Sequence, residues 1–473
     1  LAVGLKLPYK PVQMRTRDAL ATRTPKLRRK IFFAHCKLPY QAILITGYKN
    51  LFNKLNLLFD FEKSQNVRSR RIPRGFKETK AMTSVWLMGA SRTPIGRFLG
   101  DLSNFSAPEL AGISIRRTIE RTGIDPSNIQ ELFVGNVVSA GVGQAPAKQA
   151  ARQGGLPDSV SCTMVNKVCG SGLQATILAA RTIQSGAASA CIAAGMESMS
   201  QAPHLLTRSR TGNKYGTIPM LDAIDVDGLR CSLGSVAMGF YAEKVAKEQP
   251  VSRADQDAWS LTSHKRACAA AEQGAFEQEI APVLIDPQTA IAVDSCPRKD
   301  TSIERLAKLK PAFELEGTVT AGNASGLADG SASLLLVNEP MRQSLSNQSA
   351  FRIVGTAQYS QAAADLFTAP VQAILKACKV ANVSVSQVDL FEINEAFASQ
   401  TVACVRELRI SPEQVNVHGG AIALGHPIGC SGTRILVTLM HAMQRHQTRL
   451  GIASLCIGGG EAVAVLIEQD TEN

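Results

Sequence analysis

The chain repeats itself. In its first half, Cys169-Gly170-Ser171-Gly172 runs into an apolar helical pattern over 173–183, then Gly186, then a strand-like stretch over 190–194 that ends at Gly195. In its second half, Cys430-Ser431-Gly432 runs into a helical pattern over 435–443, then Gly451, then a strand-like stretch over 452–457 that ends in three glycines. A weaker echo precedes each copy. Residues 125–136 are matched by 384–394, and both read as a polar turn that feeds a short apolar strand. A strand, turn, helix and strand met twice predict a duplicated α/β architecture with buried strands covered by helices.

Between the copies, from about 200 to 327, charge rises and the strand rhythm fades. Helical patterns rich in Ala replace it, as over 253–278, and apolar strand character resumes over 318–336. Residues 200–327 therefore read as an insertion into the first half. The expected organisation is a basic extension over 1–81, disordered or not native, a first half over 82–350 and a second half over 351–473.

A net charge of +12 suggests a nucleic-acid partner until it is located. Residues 1–81 hold 19 of the 51 lysines and arginines but 4 of the 39 aspartates and glutamates, a net of +15, so 82–473 carry −3. The basic excess belongs to the extension and implies no nucleic-acid role for the body. Three readings fit the extension: a mitochondrial presequence, a nucleic-acid or membrane-binding arm, or upstream sequence outside the natural protein. The last is favoured, because Met82-Thr83-Ser84-Val85-Trp86-Leu87-Met88 and the residues that follow resemble the opening strand and turn of a known enzyme family starting at its own initiator. No apolar run approaches the roughly 18 residues of a membrane span. Eleven cysteines are scattered without a Cys-x-x-Cys pair, so neither zinc nor a disulfide framework is expected. Free thiols in that number suit a reducing compartment, the cytoplasm, or the mitochondrion if the extension is a presequence.

Four clusters carry chemistry: Asn166-Lys167-Val168-Cys169-Gly170-Ser171-Gly172, Asn394-Glu395-Ala396-Phe397, Gly425-His426-Pro427 and Cys456-Ile457-Gly458. Cys169 lies before small residues and an apolar helix. Glycines there permit a tight turn, and a helix N-terminus favours a thiolate. His426, among glycines that leave little bulk, is the side chain suited to take the thiol proton near neutral pH. Order and spacing of the four clusters resemble the signature of the thiolase family, the acyl-CoA C-acyltransferases. The resemblance runs from Met82 to Asn473.

That resemblance implies duplicated βαβαβ lobes in a layered α/β/α/β/α arrangement with an inserted loop domain. It makes Cys169 the acylated nucleophile, His426 its base, and Cys456 the second acid/base, which takes the α-proton of the incoming acetyl group. It assigns one oxyanion site to His426 and a water held by Asn394. The other is assigned to the N–H groups of Cys169 and Gly458, with Glu395 either orienting its neighbours or solvated. For coenzyme A it implies Ser325 and Ala321 in a pantetheine turn, Met238 in the loop domain, and Arg298 with Phe313 at the nucleotide end. No cofactor or metal is implied, since coenzyme A thioesters are substrates. A homodimer or homotetramer is implied as well.

The run Thr318-Val-Thr-Ala-Gly-Asn-Ala-Ser-Gly resembles acetyl-CoA acetyltransferases, whereas Ala237-Met238 replaces the His-Met of acetoacetyl-specific members. Reversible condensation of two acetyl-CoA is therefore expected, with a longer-chain 3-ketoacyl-CoA thiolase as the alternative. A ketoacyl-ACP synthase suits the second cysteine less well, and a non-catalytic coenzyme-A binder would not need Cys169, His426 and Cys456 together. Cys430 is the rival of Cys456.

Overall fold

A computed structural model of the chain describes residues 83–345 and 349–470. The expectations placed on the extension lie outside the described residues.

The body is built on a ten-stranded mixed sheet. Its strands are β1 (Val85–Arg92), β2 (Gly96–Arg97), β3 (Glu131–Gly135), β4 (Ser161–Val165), β5 (Ala190–Ser198), β6 (Ala328–Asn338), β7 (Phe351–Ser360), β8 (Leu390–Ile393), β9 (Leu450–Ile457) and β10 (Glu461–Gln469). The order across it is β8-β9-β10-β7-β1-β6-β5-β3-β4, with β2 paired to β6. Each half repeats one motif: a parallel pair (β3 with β5, β8 with β9), then antiparallel neighbours. The halves are not separate sheets. They join where Trp86 pairs with Arg352 and Leu87 with Phe351.

Eight longer helices accompany the strands, two of them, α4 and α5, within the insertion: α1 (Ala107–Thr122), α2 (Pro146–Gln153), α3 (Ser171–Gln184), α4 (Met238–Glu248), α5 (Arg253–Glu272), α6 (Ala369–Val380), α7 (Ala398–Leu408) and α8 (Ile428–His446). The repeat helices α3 and α8 pack on each other between the two halves, where Leu173, Ile177, Ile435, Leu439 and Met443 share one core with Leu334 and Leu455. A second core lies under α1 and α2, and a third under α6 and α7. The result is the expected α/β/α/β/α layering. Local signals set the ends: Ser106 and Glu109 form a capping box at the start of α1, and Gly123, at φ 63°, ends it.

Glycines bring α3 and α8 together at their N-terminal ends. A Cβ on Gly172 would lie 2.5 Å from Thr433 Oγ1, and one on Gly432 would lie 2.3 Å from the Leu173 nitrogen. The loops that precede the two helices are therefore forced side by side, and those loops carry Cys169 and His426.

Two expectations are corrected in the insertion. The helix expected over 253–278 stops at Glu272, and the chain turns through Gly274 at φ 67°. Strand structure resumes at Ala328 rather than 318, because 318–327 is a loop held by Glu243, which accepts from the backbone N–H groups of Thr318 and Val319. Among the described residues no helix is long and apolar enough to cross a membrane, and no group of three metal-binding side chains gathers.

Candidate active site

A cavity of about 270 Å³ opens beside the loops that precede α3 and α8. Cys169, His426, Cys456 and Gly458 line it, together with Ser325, Met238 and Phe313. Most of the remaining wall is apolar, from Met199, Leu229, Leu366, Phe367 and Phe397.

Cys169 is partly buried just before α3. Val168, the residue before it, sits at φ 46°, a conformation that a β-branched side chain rarely adopts. Three ties hold this turn: the Asn166 side chain accepts from the Val168 N–H (3.1 Å), Ser171 Oγ accepts from the Lys167 N–H (2.8 Å), and Lys167 pairs with Glu461 across the Gly458–Gly460 hairpin. The backbone N–H groups of Gly458 and of Cys169 itself favour the thiolate. Burial nevertheless pushes the thiol up to about 11, and the negative charge of Glu197 adds to it. The helix N-terminus expected to favour the thiolate is thus outweighed, and at neutral pH Cys169 needs a base.

His426 is 6% exposed. Gly425, at φ 93°, turns the chain into it, where a Cβ would lie 2.7 Å from that of Ala328. Its Nδ1 lies 2.5 Å from Ser431 Oγ, and its buried Nε2 has no hydrogen-bond partner. Burial, followed by the nearby Arg434 charge, lowers the ring to about 4, so it rests neutral and able to accept a proton.

Cys456 is the penultimate residue of β9 at 1% exposure, and burial, then the proximity of Cys169 and Cys404, raises its thiol well above the ordinary value. Cys430 lies wholly inside the central core and does not line the cavity. Asn394 follows β8, is fully buried and does not line the cavity, and neither of its amide atoms bonds a protein group. Glu395 is not solvated: its buried carboxylate accepts from Trp259 Nε1 (2.9 Å), Ser263 Oγ (2.7 Å), Asn416 Nδ2 (2.9 Å) and the Ile422 N–H (3.1 Å). It ties α5 of the insertion to the body.

The residues expected at coenzyme A divide. Ser325, whose hydroxyl donates to the Ala396 carbonyl at 3.1 Å, shares the inner cavity with Met238 and Phe313. Phe313 stacks edge-on against Phe240 and Phe397 there. Arg298 and Ala321 instead line a neighbouring cavity of about 760 Å³ with Arg97, Lys299 and Arg305. The two cavities share Ala324, Gly326 and Leu327. Arg298 and Phe313 thus line different, adjoining cavities.

Sequence reasoning missed Glu197 and Ser431. The buried Glu197 carboxylate accepts from Asn136 Nδ2 (2.6 Å) and from the N–H groups of Val137 (3.1 Å), Val138 (3.2 Å) and Gly429 (2.8 Å). It joins β5 and the loop after β3 to the first turn of α8. Burial lifts it to about 7 against those donors. Ser431 had a signal, a hydroxyl five residues beyond His426 at a helix start.

A nucleophilic thiol, an imidazole and a second thiol around one apolar cavity, on a duplicated layered α/β frame, define an acyl-transfer enzyme that works on thioesters. The thiolase N-terminal domain family matches residues 85–340 and the thiolase C-terminal domain family residues 347–469. The chain belongs to the thiolase family and is an acyl-CoA acyltransferase. It is 45% identical over 392 residues to a probable acetyl-CoA acetyltransferase of Escherichia coli K12, covering 82% of this chain and 100% of the relative. A probable acetyl-CoA acyltransferase of Staphylococcus aureus MRSA252 is 43% identical over the same coverage. Among solved structures, an acetyl-CoA acetyltransferase of Bacillus anthracis matches with a TM-score of 0.80 at 38% identity, covering 82% of this chain and 99% of that one. Human mitochondrial 3-ketoacyl-CoA thiolase matches with a TM-score of 0.80 at 35% identity, covering 82% and 100%.

Proposed function

We propose that the protein condenses two acetyl-CoA reversibly to acetoacetyl-CoA and coenzyme A through an acetyl-Cys169 intermediate. The observation that carries this reading is that one small cavity gathers Cys169, His426 and Cys456 within apolar walls.

The proton account closes on these residues. His426 Nε2 takes the Cys169 proton, and the thiolate attacks the acetyl carbonyl, whose oxyanion is held by the N–H groups of Cys169 and Gly458. The adduct expels coenzyme A as a thiolate, which takes the proton of Cys456. The Cys456 thiolate then removes the α-proton of a second acetyl-CoA. The enolate oxygen faces the protonated His426 Nε2 and a water that Asn394 would hold. The enolate carbon attacks the acetyl-Cys169 carbonyl, and the Cys169 thiolate leaves and recovers its proton from His426. Ser325, Met238 and Phe313 form the channel for pantetheine, and Arg298 is reserved for phosphate in the adjoining cavity.

The test is incubation with isotopically labelled acetyl-CoA and peptide mapping. The label is expected on Cys169, with acetoacetyl-CoA released, and a label on another residue would overturn the assignment. Comparison of kcat/KM for acetoacetyl-CoA and 3-ketohexadecanoyl-CoA decides chain length. Ala237, in place of a histidine beside Met238, favours the longer-chain reading, and the small cavity favours the shorter.

A further inference from the structure

The proposed chemistry asks His426 to use one particular nitrogen. Nε2 must begin unprotonated to take the thiol proton and must then hold that proton until Cys169 is regenerated. Nothing in an imidazole by itself ensures this, because its neutral form exists as two tautomers.

Ser431 supplies the missing constraint. Its Oγ lies 2.5 Å from His426 Nδ1 and 2.9 Å from the carbonyl oxygen of Pro427. A hydroxyl has one proton. If it donates to Pro427, whose carbonyl can only accept, Nδ1 must carry a hydrogen and donate to Oγ. Nε2 is then the bare nitrogen, and it is the buried ring atom without a partner, on a residue that lines the cavity. Ser431 is 1% exposed, so solvent does not compete for its proton. The arrangement is fixed by the helix: Ser431 is in the first turn of α8, and its backbone N–H also donates to Pro427 at 2.9 Å. The same bond serves the charged ring, since an imidazolium still donates from Nδ1.

We propose that Ser431 is a positioning residue that holds His426 in the Nδ1–H tautomer and supports the imidazolium between the two half-reactions. The inference rests on His426 as the base, and its experiment separates the two ideas. The full chain is labelled with 15N-histidine, and His426 is assigned by comparison with His426→Gln. The free protein is expected to show Nδ1 protonated and Nε2 bare, and Ser431→Ala to show mixed tautomers. In turnover, Ser431→Ala is expected to lower kcat about 10- to 100-fold with KM within about twofold, as loss of a buried hydrogen bond to a ring that becomes charged implies. Ser431→Thr, which keeps the hydroxyl, is expected to restore most of the rate. A wild-type spectrum with the proton on Nε2, or Ser431→Ala with unchanged kcat, overturns the proposal. If the spectrum is as expected and no acyl-CoA is turned over, the functional reading fails with the imidazolium role, and the tautomer set by Ser431 stands.

Discussion

The crossing of the repeat helices can be opened by one methyl group. An alanine Cβ at position 432 would lie 2.3 Å from the Leu173 nitrogen and 2.9 Å from its Cβ, whereas ordinary contact begins near 3.4 Å. The nearest obstruction is backbone, so no side chain can swing aside, and α3 and α8 must part by about 1 Å at their N-terminal ends. Overpacking of this kind costs about 1–3 kcal/mol, and in a chain of this size it lowers Tm by roughly a few degrees. The larger effect falls on chemistry, because the loop leading into one helix carries Cys169 and the loop leading into the other carries His426. A displacement of about 1 Å between reacting groups can cost about 100-fold in rate. Gly432→Ala is therefore expected to fold, to lose about 100-fold in kcat for exchange of label between acetyl-CoA and free coenzyme A, and to keep KM within about twofold, since Met238, Phe313 and Ser325 lie outside the crossing. A folded Gly432→Ala protein that retains kcat within about threefold would refute the coupling of helix contact to catalysis.

Three further outcomes are expected. Gly239→Ala places a Cβ 2.2 Å from the Phe313 ring, so Phe313 is displaced into the channel and KM for acetyl-CoA rises about tenfold with a smaller change in kcat; equal losses in both would point to general damage. With His426 lowered to about 4 and Cys169 raised to about 11, the acid limb of kcat/KM lies near pH 4–5, where the ring gains a proton and ceases to be a base. Alkylation of Cys169 by iodoacetamide keeps rising past pH 9, and a plateau near pH 7 would contradict the upward shift. Cys456→Ser is expected to accept a label at Cys169, since a coenzyme A thiolate leaves unaided, yet to lose about 100-fold or more in carbon–carbon condensation, while Cys430→Ala keeps it; the reverse pattern would exchange their roles.

The echo in the sequence was enough to foresee strands β3, β5, β8 and β9 and helices α3 and α8, because burial imposes the same apolar pattern on both copies. It could not show that β1 and β7 join the halves edge to edge, since strand pairing leaves no local mark. Three of the four clusters converge on the cavity. The fourth divides: Ala396 and Phe397 line the cavity, whereas Asn394 does not and Glu395 is a structural tie. Glu197 was illegible for a physical reason. Three of its four partners are backbone N–H groups, which every sequence supplies, and they come from two distant segments. Arg298 and Phe313 separated because the insertion follows no repeat from which their positions could be triangulated.

Register explains why a duplicated frame holds one reaction centre. In the first half Gly135 pairs with Gly195, and the next relevant side chains are Asn136 and Glu197. In the second half Ile393 pairs with Ser454, and the residues in the same places are Asn394 and Cys456. The equivalent pairs have opposite fates. Asn136 donates to Glu197 at 2.6 Å, so the two side chains are tied to each other, and Glu197 also fixes the first turn of α8 through Gly429. The amide of Asn394 bonds no protein group, and Cys456 faces the cavity. The helix starts diverge likewise: the loop before α3 delivers a cysteine, and the loop before α8 a histidine held by Ser431. One copy's strand ends brace the helix that follows the imidazole, and the other copy's strand ends supply the thiol proposed as acid/base. A reversal at the register pair, Glu197→Cys with Cys456→Glu, is therefore expected to lose both the brace and the proton acceptor, not to move the site across the pseudo-symmetry.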